Sequence, residues 1–470
     1  MDIPTPGSRR RPYVTQEVMQ AVRRQLDTGT LVGGDRLPSI RQLAAQLRVS
    51  PSTVVEAYDR LSAEGLIRAR PGSGFYVSAG HPPIPAVAAR PPHADPLIDP
   101  FWVSRQALDA APSALKPGCG WLPPDWMPLD ALRRSCRALA RSQDAAPLVD
   151  YGTTRGPQAL RRLLQVRLSG HGIETVRENL LLAGSATHAL DLVCRLLLRP
   201  GDTVLVDDPC YFNFRTTLQA HRAKVLGVRH TPDGPDLAAF SALLDQHAPR
   251  LYLTNASLHN PTGATLSAQS AHRLLKAAAA HGLIVVEDDI FADFAEDPAP
   301  QLAALDGLEN VLRIGSFSKT LSASARCGYI AARAEWIDGL AELQIATGFG
   351  GPGRIATELL THALTSGGYR KHMEALRRRL ARARREAAMR LRRIGIEPWL
   401  MPSGGFYLWC RLPDNRDATE VARRALAENM VLAPGNVFST TGTATSFMRF
   451  NVAHCSDPGM FQTLRRALSG

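Results

Sequence analysis

A chain of 470 residues is too long for one ordinary core and predicts two or three domains. Its 45% hydrophobic and 21% charged content excludes a disordered chain, and no run approaches eighteen uncharged apolar residues, so no membrane span is expected. A net charge of +12 biases the chain mildly toward a polyanionic partner.

The start, "MDIPTPGSRRRPY", lacks the apolar core of a signal peptide. The seven cysteines are scattered without a Cys-x-x-Cys, which argues against a disulfide framework and a structural zinc site. No metal and a cytoplasmic location are expected. Residues 13–27 predict a helix with Val18, Ala21, Val22 and Leu26 inward. Ile40, Leu43, Ala44 and Leu47 mark a second helix, which Ser39 can cap. Val54, Ala57, Tyr58 and Leu61 mark a third, with Ser50 as cap and Pro51 at its first position. "LIRARPGSGFYV" (66–77) reads as strand, glycine turn, strand. Three helices and a hairpin make a winged helix-turn-helix.

Residues 1–78 hold eleven arginines against seven acidic residues. Ser50, Ser52 and Thr53 lie at the start of the third helix, where a recognition helix meets bases and phosphates. Arg41 projects from the helix before it, and Arg68 and Arg70 lie on the wing. Residues 34–77 resemble the winged helix of GntR-type regulators. The resemblance implies double-stranded operator DNA as partner and Arg41, Ser52 and Thr53 as contacts. The family commonly carries Arg after the cap residue. Here Pro51 stands there, so operator preference is not transferable.

Residues 79–100 are dense in proline and read as the core of a linker spanning 79–112. Beyond it, "TVLVDD" (203–208), "RLYLTN" (250–255), "LIVVEDD" (283–289) and "VLRIGS" (311–316) read as strands. Helical stretches such as 185–198 and 267–280 lie between some of them. This predicts an α/β domain with a mostly parallel sheet, whose ligand sits beyond the C-terminal strand ends. A long Arg-rich helical segment, about 355–394, leads to a smaller α+β region. The third domain spans 113–470, with a large part near 140–355 and a small part near 356–470.

Lys319 is one of only five lysines in a chain with fifty arginines. An aldehyde cofactor such as pyridoxal 5′-phosphate needs an amine, an anion at its pyridine nitrogen, a phosphate cradle and a stacking face. Lys319 can supply the amine and Asp288 the anion. "GSATHAL" (184–190) places a glycine turn at a helix start, a natural phosphate site. Ser316, Ser318 and Arg326 can complete the cradle, and Tyr211 can lie over the ring.

The ordered set "YGTTRGPQALR", "GSATHAL", "DDPCY", "NPTG", "EDD", "SFSKTLSASARCGY", "SGGFYLW" and "RFN" resembles fold-type I pyridoxal-phosphate enzymes of the aminotransferase class. By that resemblance Lys319 forms the aldimine, Asp288 partners the pyridine nitrogen and Asn260 bonds the phenolic oxygen. Ser185 and Ala186 offer backbone N–H groups to phosphate. Tyr151 reaches the phosphate of a neighbouring subunit in a homodimer. Arg449 binds an effector carboxylate, or stabilises the empty site. One departure is Ile290 and Phe291 where such enzymes place a tyrosine on the phenolic oxygen. The missing hydroxyl is a hydrogen bond of about 1.5–3 kcal/mol and favours sensing over turnover.

The fusion resembles the MocR subfamily of GntR-type regulators. It implies a regulator that senses pyridoxal phosphate or an amino compound through an aldimine at Lys319. The alternative is an aminotransferase carrying a DNA-binding appendage.

Overall fold

The computed structural model describes residues 11–78, 100–296 and 299–469. The chain divides near residue 96 into two compact units. In the first, α1 (Arg11–Asp27), α2 (Ile40–Leu47) and α3 (Pro51–Ala63) precede the antiparallel hairpin of β1 (Ile67–Arg70) and β2 (Gly74–Val77). Ser39 and Gln42 form a reciprocal capping box, and Ser50 caps α3 through Thr53. Gly72 and Gly74 turn the wing at φ +73° and +102°, a region closed to most side chains. Val18, Val22, Leu43, Val54, Tyr58, Leu61 and Ile67 fill the core, and the Tyr58 hydroxyl donates to Pro38 O at 2.8 Å. Leu47 ends its short helix 38% exposed, outside the expected inward row.

In the second unit the expected strands form around an eight-stranded sheet. Its strands are β3 (Leu180–Ala183), β4 (Thr203–Asp208), β5 (Lys224–Thr231), β6 (Gly234–Pro235), β7 (Leu251–Thr254), β8 (Ile284–Asp288), β9 (Val311–Ser316) and β10 (Gly328–Ala331). Their order is β3-β10-β9-β8-β7-β4-β5-β6. From β9 to β5 neighbours run parallel, while β10 is antiparallel to both β3 and β9. The strand runs are almost unbroken apolar because both faces are covered. Leu181, Val204, Leu253, Val286 and Ile314 face one core, and Leu182, Leu205, Tyr252, Val285 and Val311 the other. A smaller sheet follows, of β11 (Glu397–Pro398), β12 (Tyr407–Arg411), β13 (Ala433–Pro434) and β14 (Phe447–Asn451), in the order β11-β12-β14-β13.

Two boundaries differ from expectation. The linker does not run to 112. Pro100 opens a helix, Pro100–Asp109, whose Trp102 and Val103 are buried in the core of the large sheet. Proline is harmless at a first helical position, so proline density marks the approach to this helix rather than its absence. Residues 79–99 lie outside the described residues. The segment 355–394 is two helices, Arg354–Thr365 and Gly368–Arg392, parted by Gly367 at φ +71°. All seven cysteines are free thiols. No helix among the described residues is long and apolar enough to cross a membrane.

Candidate functional site

Five segments meet at one end of the large sheet. Asp288 closes β8, Lys319 lies three residues past β9, and Tyr211 three past β4. Ser185 follows β3 and caps the helix Ala186–Leu197, accepting from His188 N at 2.9 Å. β10 starts here, with Gly328 paired to both Ala183 and Ser316. A cavity of about 150 Å³ results, lined by Ser185, Ala186, Tyr211, Asp288, Ser316, Ser318, Lys319 and Arg326. A narrower one of about 80 Å³ adjoins it through Tyr211 and Lys319, and is lined also by Asn260, Phe291, Tyr407 and Arg449. The sequence-predicted cofactor residues other than Tyr151 thus converge, with Lys319 lining both chambers.

The Lys319 amine donates to Gly120 O at 2.6 Å. Burial, and then the Arg449 guanidinium, push its pKa down from 10.5 to about 8. Asp288 is pushed up to about 7 by burial and by Asp289 beside it. Its backbone carbonyl accepts from Asn255 at 2.7 Å, but its buried Oδ1 has no hydrogen-bond partner. An unpaired buried carboxylate oxygen costs about 1–3 kcal/mol or more, so this one suits a ring N–H⁺ that would both pair it and restore its charge.

The cradle has the same incomplete character. Ser316 Oγ accepts from Ser318 N at 3.1 Å and lies 3.0 Å from Ser318 Oγ. Arg326 is exposed and makes no hydrogen bond or ion pair among the described residues. Its φ of +46° costs a non-glycine residue on the order of 1–3 kcal/mol, a strain that clusters at functional sites. A Cβ built on Gly328 would fall 2.6 Å from the Ser185 carbonyl carbon and 2.7 Å from Ala186 N. Only glycine lets β10 approach that peptide. The amine, orphan carboxylate, helix N-terminus and free arginine together fit a cationic ring bearing an aldehyde and a phosphate.

Arg449 is 1% exposed. Nη1 donates to Asn260 Oδ1 at 2.8 Å and Nη2 to Gly118 O at 2.9 Å, with the guanidinium 4.3 Å from the Tyr407 ring. Its fork is therefore satisfied from within the protein, and Nε alone is unpaired. Tyr151 is not brought to the cavity. It is 75% exposed and packs edge-on against Phe349 at 4.9 Å.

Sequence reasoning missed Tyr407. Its hydroxyl donates to Gly120 O at 3.2 Å, the carbonyl that also accepts from Lys319. Phe291 packs 5.6 Å from the Tyr407 ring, buried among aromatics. A hydroxyl thus stands beside Lys319 even though Phe291 lacks one. Nothing in the spacing of residues 120, 319 and 407 signals this; only the fold does.

In the winged unit, Ser50, Ser52 and Thr53 form a hydroxyl cluster at the tip of α3, with Ser50 Oγ 2.8 Å from both partners' hydroxyls. Arg41 and Arg68 are exposed, as is Arg70, whose guanidinium lies 4.4 Å from the Tyr76 ring. These are the polar groups expected of a recognition helix and wing.

The geometry defines a two-part protein: a winged helix-turn-helix and a cofactor-type α/β unit with a lysine at its centre. Residues 127–466 match the aminotransferase class I and II family, and residues 14–77 the gntR family of bacterial regulatory proteins. The chain belongs to both, in the fusion that characterises MocR-type regulators. It is 30% identical to the uncharacterised HTH-type transcriptional regulator YdcR of Escherichia coli, over 93% of this chain and 94% of that one. It is 31% identical to the HTH-type transcriptional regulator TauR of Rhodobacter capsulatus, over 89% and 88%. The α-aminoadipate aminotransferase LysN of Thermus thermophilus, solved with N-(5′-phosphopyridoxyl)-L-leucine, superposes with a TM-score of 0.71 and 27% identity. That likeness covers 78% of this chain and 94% of LysN.

Proposed function

We propose that the chain is a DNA-binding transcriptional regulator that holds pyridoxal 5′-phosphate at Lys319 and responds there to the cofactor itself or to an amino compound. The observation that carries this reading is the pairing of a winged helix with a cavity lined by Lys319, by Asp288, whose Oδ1 has no partner, and by the Ser185–Ala186 helix start. When bound, the cofactor supplies an aldehyde that exchanges one amine for another. Lys319 attaches it, Asp288 holds a proton at the ring nitrogen, and Asn260 bonds the phenolic oxygen. Ser185, Ala186, Ser316, Ser318 and Arg326 hold the phosphate, while Tyr211 covers the ring. Arg449 receives an effector carboxylate if its bonds to Asn260 and Gly118 are exchanged. Arg41, Ser50, Ser52, Thr53, Arg68 and Arg70 contact an operator.

The proposed assembly is a homodimer in which Tyr151 reaches the partner's phosphate site. Leu148, Val149, Tyr151, Phe349 and Ile355 support it, being large apolar residues left at least half exposed around one region. Helix Arg354–Thr365 packs there on Ala146–Val149. A patch of this kind marks an interface.

Attachment needs Lys319 uncharged. Its pKa of about 8 predicts that the rate of cofactor capture by the apoprotein rises about tenfold per pH unit below 8 and levels off above it. Asp288, which must be ionised, steepens the rise below about 7. Stopped-flow absorbance across pH 6–10 checks this; a rise continuing to 10.5, the ordinary lysine value, contradicts it.

A second reading is an aminotransferase with a DNA-binding appendage, favoured by the Tyr407 hydroxyl beside Lys319. Titration of the cofactor-loaded protein with amino acids, with and without added keto acid, separates the two. The regulator gives one spectral change that stops at one equivalent per site. Sustained keto acid production supports the enzyme.

A further inference from the structure

A third cavity, of about 490 Å³, lies between β5 of the large sheet and β12 and β14 of the small one. It does not include Lys319, Asp288 or any residue of the phosphate cradle. Its walls are aromatic. Trp399 is half-buried, and Trp409 stacks on Phe447 with centroids 5.3 Å apart and planes 7° from parallel. The Trp399 backbone N–H donates to Trp409 O at 2.8 Å, which fixes one wall against the other.

Its charge is positive on balance. Arg229 and Arg411 line it, and neither guanidinium makes a hydrogen bond or ion pair among the described residues; Arg411 lies 5.2 Å from the Phe447 ring. The one acidic lining residue, Asp208, is already filled. Its carboxylate accepts from Thr440 N, Thr440 Oγ1, Thr441 N and Thr441 Oγ1 at 2.5–3.1 Å. Two arginines therefore face the cavity without an ion-pair partner, against one carboxylate whose oxygens are held by Thr440 and Thr441.

The floor carries an unsatisfied group. His230 is 7% exposed and its Nδ1 has no hydrogen-bond partner. Asp207, His230 and His259 gather their ligand-type atoms here, but the two imidazoles are stacked at 4.0 Å with planes 20° apart. Their in-plane lone pairs run side by side and do not converge on one ion. Burial keeps His230 uncharged, pushing its pKa down to about 3, so the ring adds no charge to that of the two arginines.

Aromatic walls accept a flat ring, and planar guanidinium forks match the oxygens of a carboxylate or phosphate. A cavity of this size, with aromatic walls and convergent polar groups, has the character of a small-molecule site. We infer that this cavity is a second ligand site, independent of Lys319, which takes a planar aromatic anion: an aryl carboxylate or an aryl phosphate. Its occupant touches both sheets, and its floor includes Thr262, two residues from Asn260.

Isothermal titration of the full-length, cofactor-loaded protein tests the inference. The probes are benzoate and phenyl phosphate, the two sources of the anion; acetate lacks the ring and benzyl alcohol lacks the charge. At least one aryl anion is expected to bind at a single saturable site, about tenfold or more tighter than both controls. Arg229→Ala combined with Arg411→Ala is expected to weaken it about tenfold or more, with an unchanged melting temperature since both side chains are exposed. Lys319→Ala is expected to leave it unchanged. The inference is overturned if neither aryl anion saturates, if the double variant binds as well as wild type, or if Lys319→Ala abolishes binding. The last result would assign the probe to the cofactor cavity.

Discussion

Lys319→Ala is expected to abolish the imine absorption band of the cofactor-loaded protein and to let the cofactor pass off in gel filtration. Lys319 is the one amine side chain lining the cavity, so nothing else there can attach an aldehyde. The cradle around Ser185, Ser316 and Arg326 remains, and non-covalent binding of free cofactor at high concentration is expected to survive. Lys319→Arg, which keeps the charge but cannot form the bond, should behave the same way. Retention of the band in either variant would place the attachment elsewhere.

Gly328→Ala should be nearly as severe through packing alone. The new Cβ would sit 2.6 Å from a backbone carbon and 2.7 Å from a backbone nitrogen of the Ser185–Ala186 peptide. Backbone atoms cannot step aside as a side-chain tip can. Overpacking of this kind costs about 1–3 kcal/mol. The strain falls on the helix start proposed for phosphate, so cofactor affinity should drop by roughly ten- to a hundredfold, at 1.4 kcal/mol per decade. Gly353→Ala is the matched control, because its Cβ would meet nothing within 4 Å. Equal affinities in the two variants would show that β10 does not shape the cradle.

The sheet was readable because its strands are buried on both faces, so "TVLVDD" and "VLRIGS" stand out as apolar runs. Chemistry in a parallel sheet gathers at the C-terminal strand ends, which made Asp288, Asn260 and Lys319 legible from their places in the chain. Contacts between distant segments were not legible. Gly120, Lys319 and Tyr407 meet only because the small sheet packs over the large one, so the hydroxyl beside Lys319 escaped notice. Arg449 was readable, by resemblance, as a binder of a carboxylate, but its burial and its occupation by Asn260 and Gly118 were not. Helix Pro100–Asp109 was hidden by proline density, since composition cannot tell a proline that opens a helix from one that forbids it. Gly367 lies within an otherwise helical pattern, and only its positive φ distinguishes a break from a tolerated glycine. The third cavity draws on six separated segments, and no single motif announces it.

The regulator and the enzyme make different demands on the link between the two units. A regulator requires that the state of Lys319 change how the winged helix binds DNA, which is a coupling free energy between two sites. An enzyme with a DNA-binding appendage requires none. The direct measurement is operator affinity by fluorescence anisotropy at fixed salt, for wild type and Lys319→Ala, each without cofactor, with pyridoxal phosphate, and with cofactor plus a panel of amines. Wild-type affinity is predicted to shift about fivefold or more in at least one of these states, with Lys319→Ala fixed at a single value. Affinities identical across all states in wild type would contradict the account.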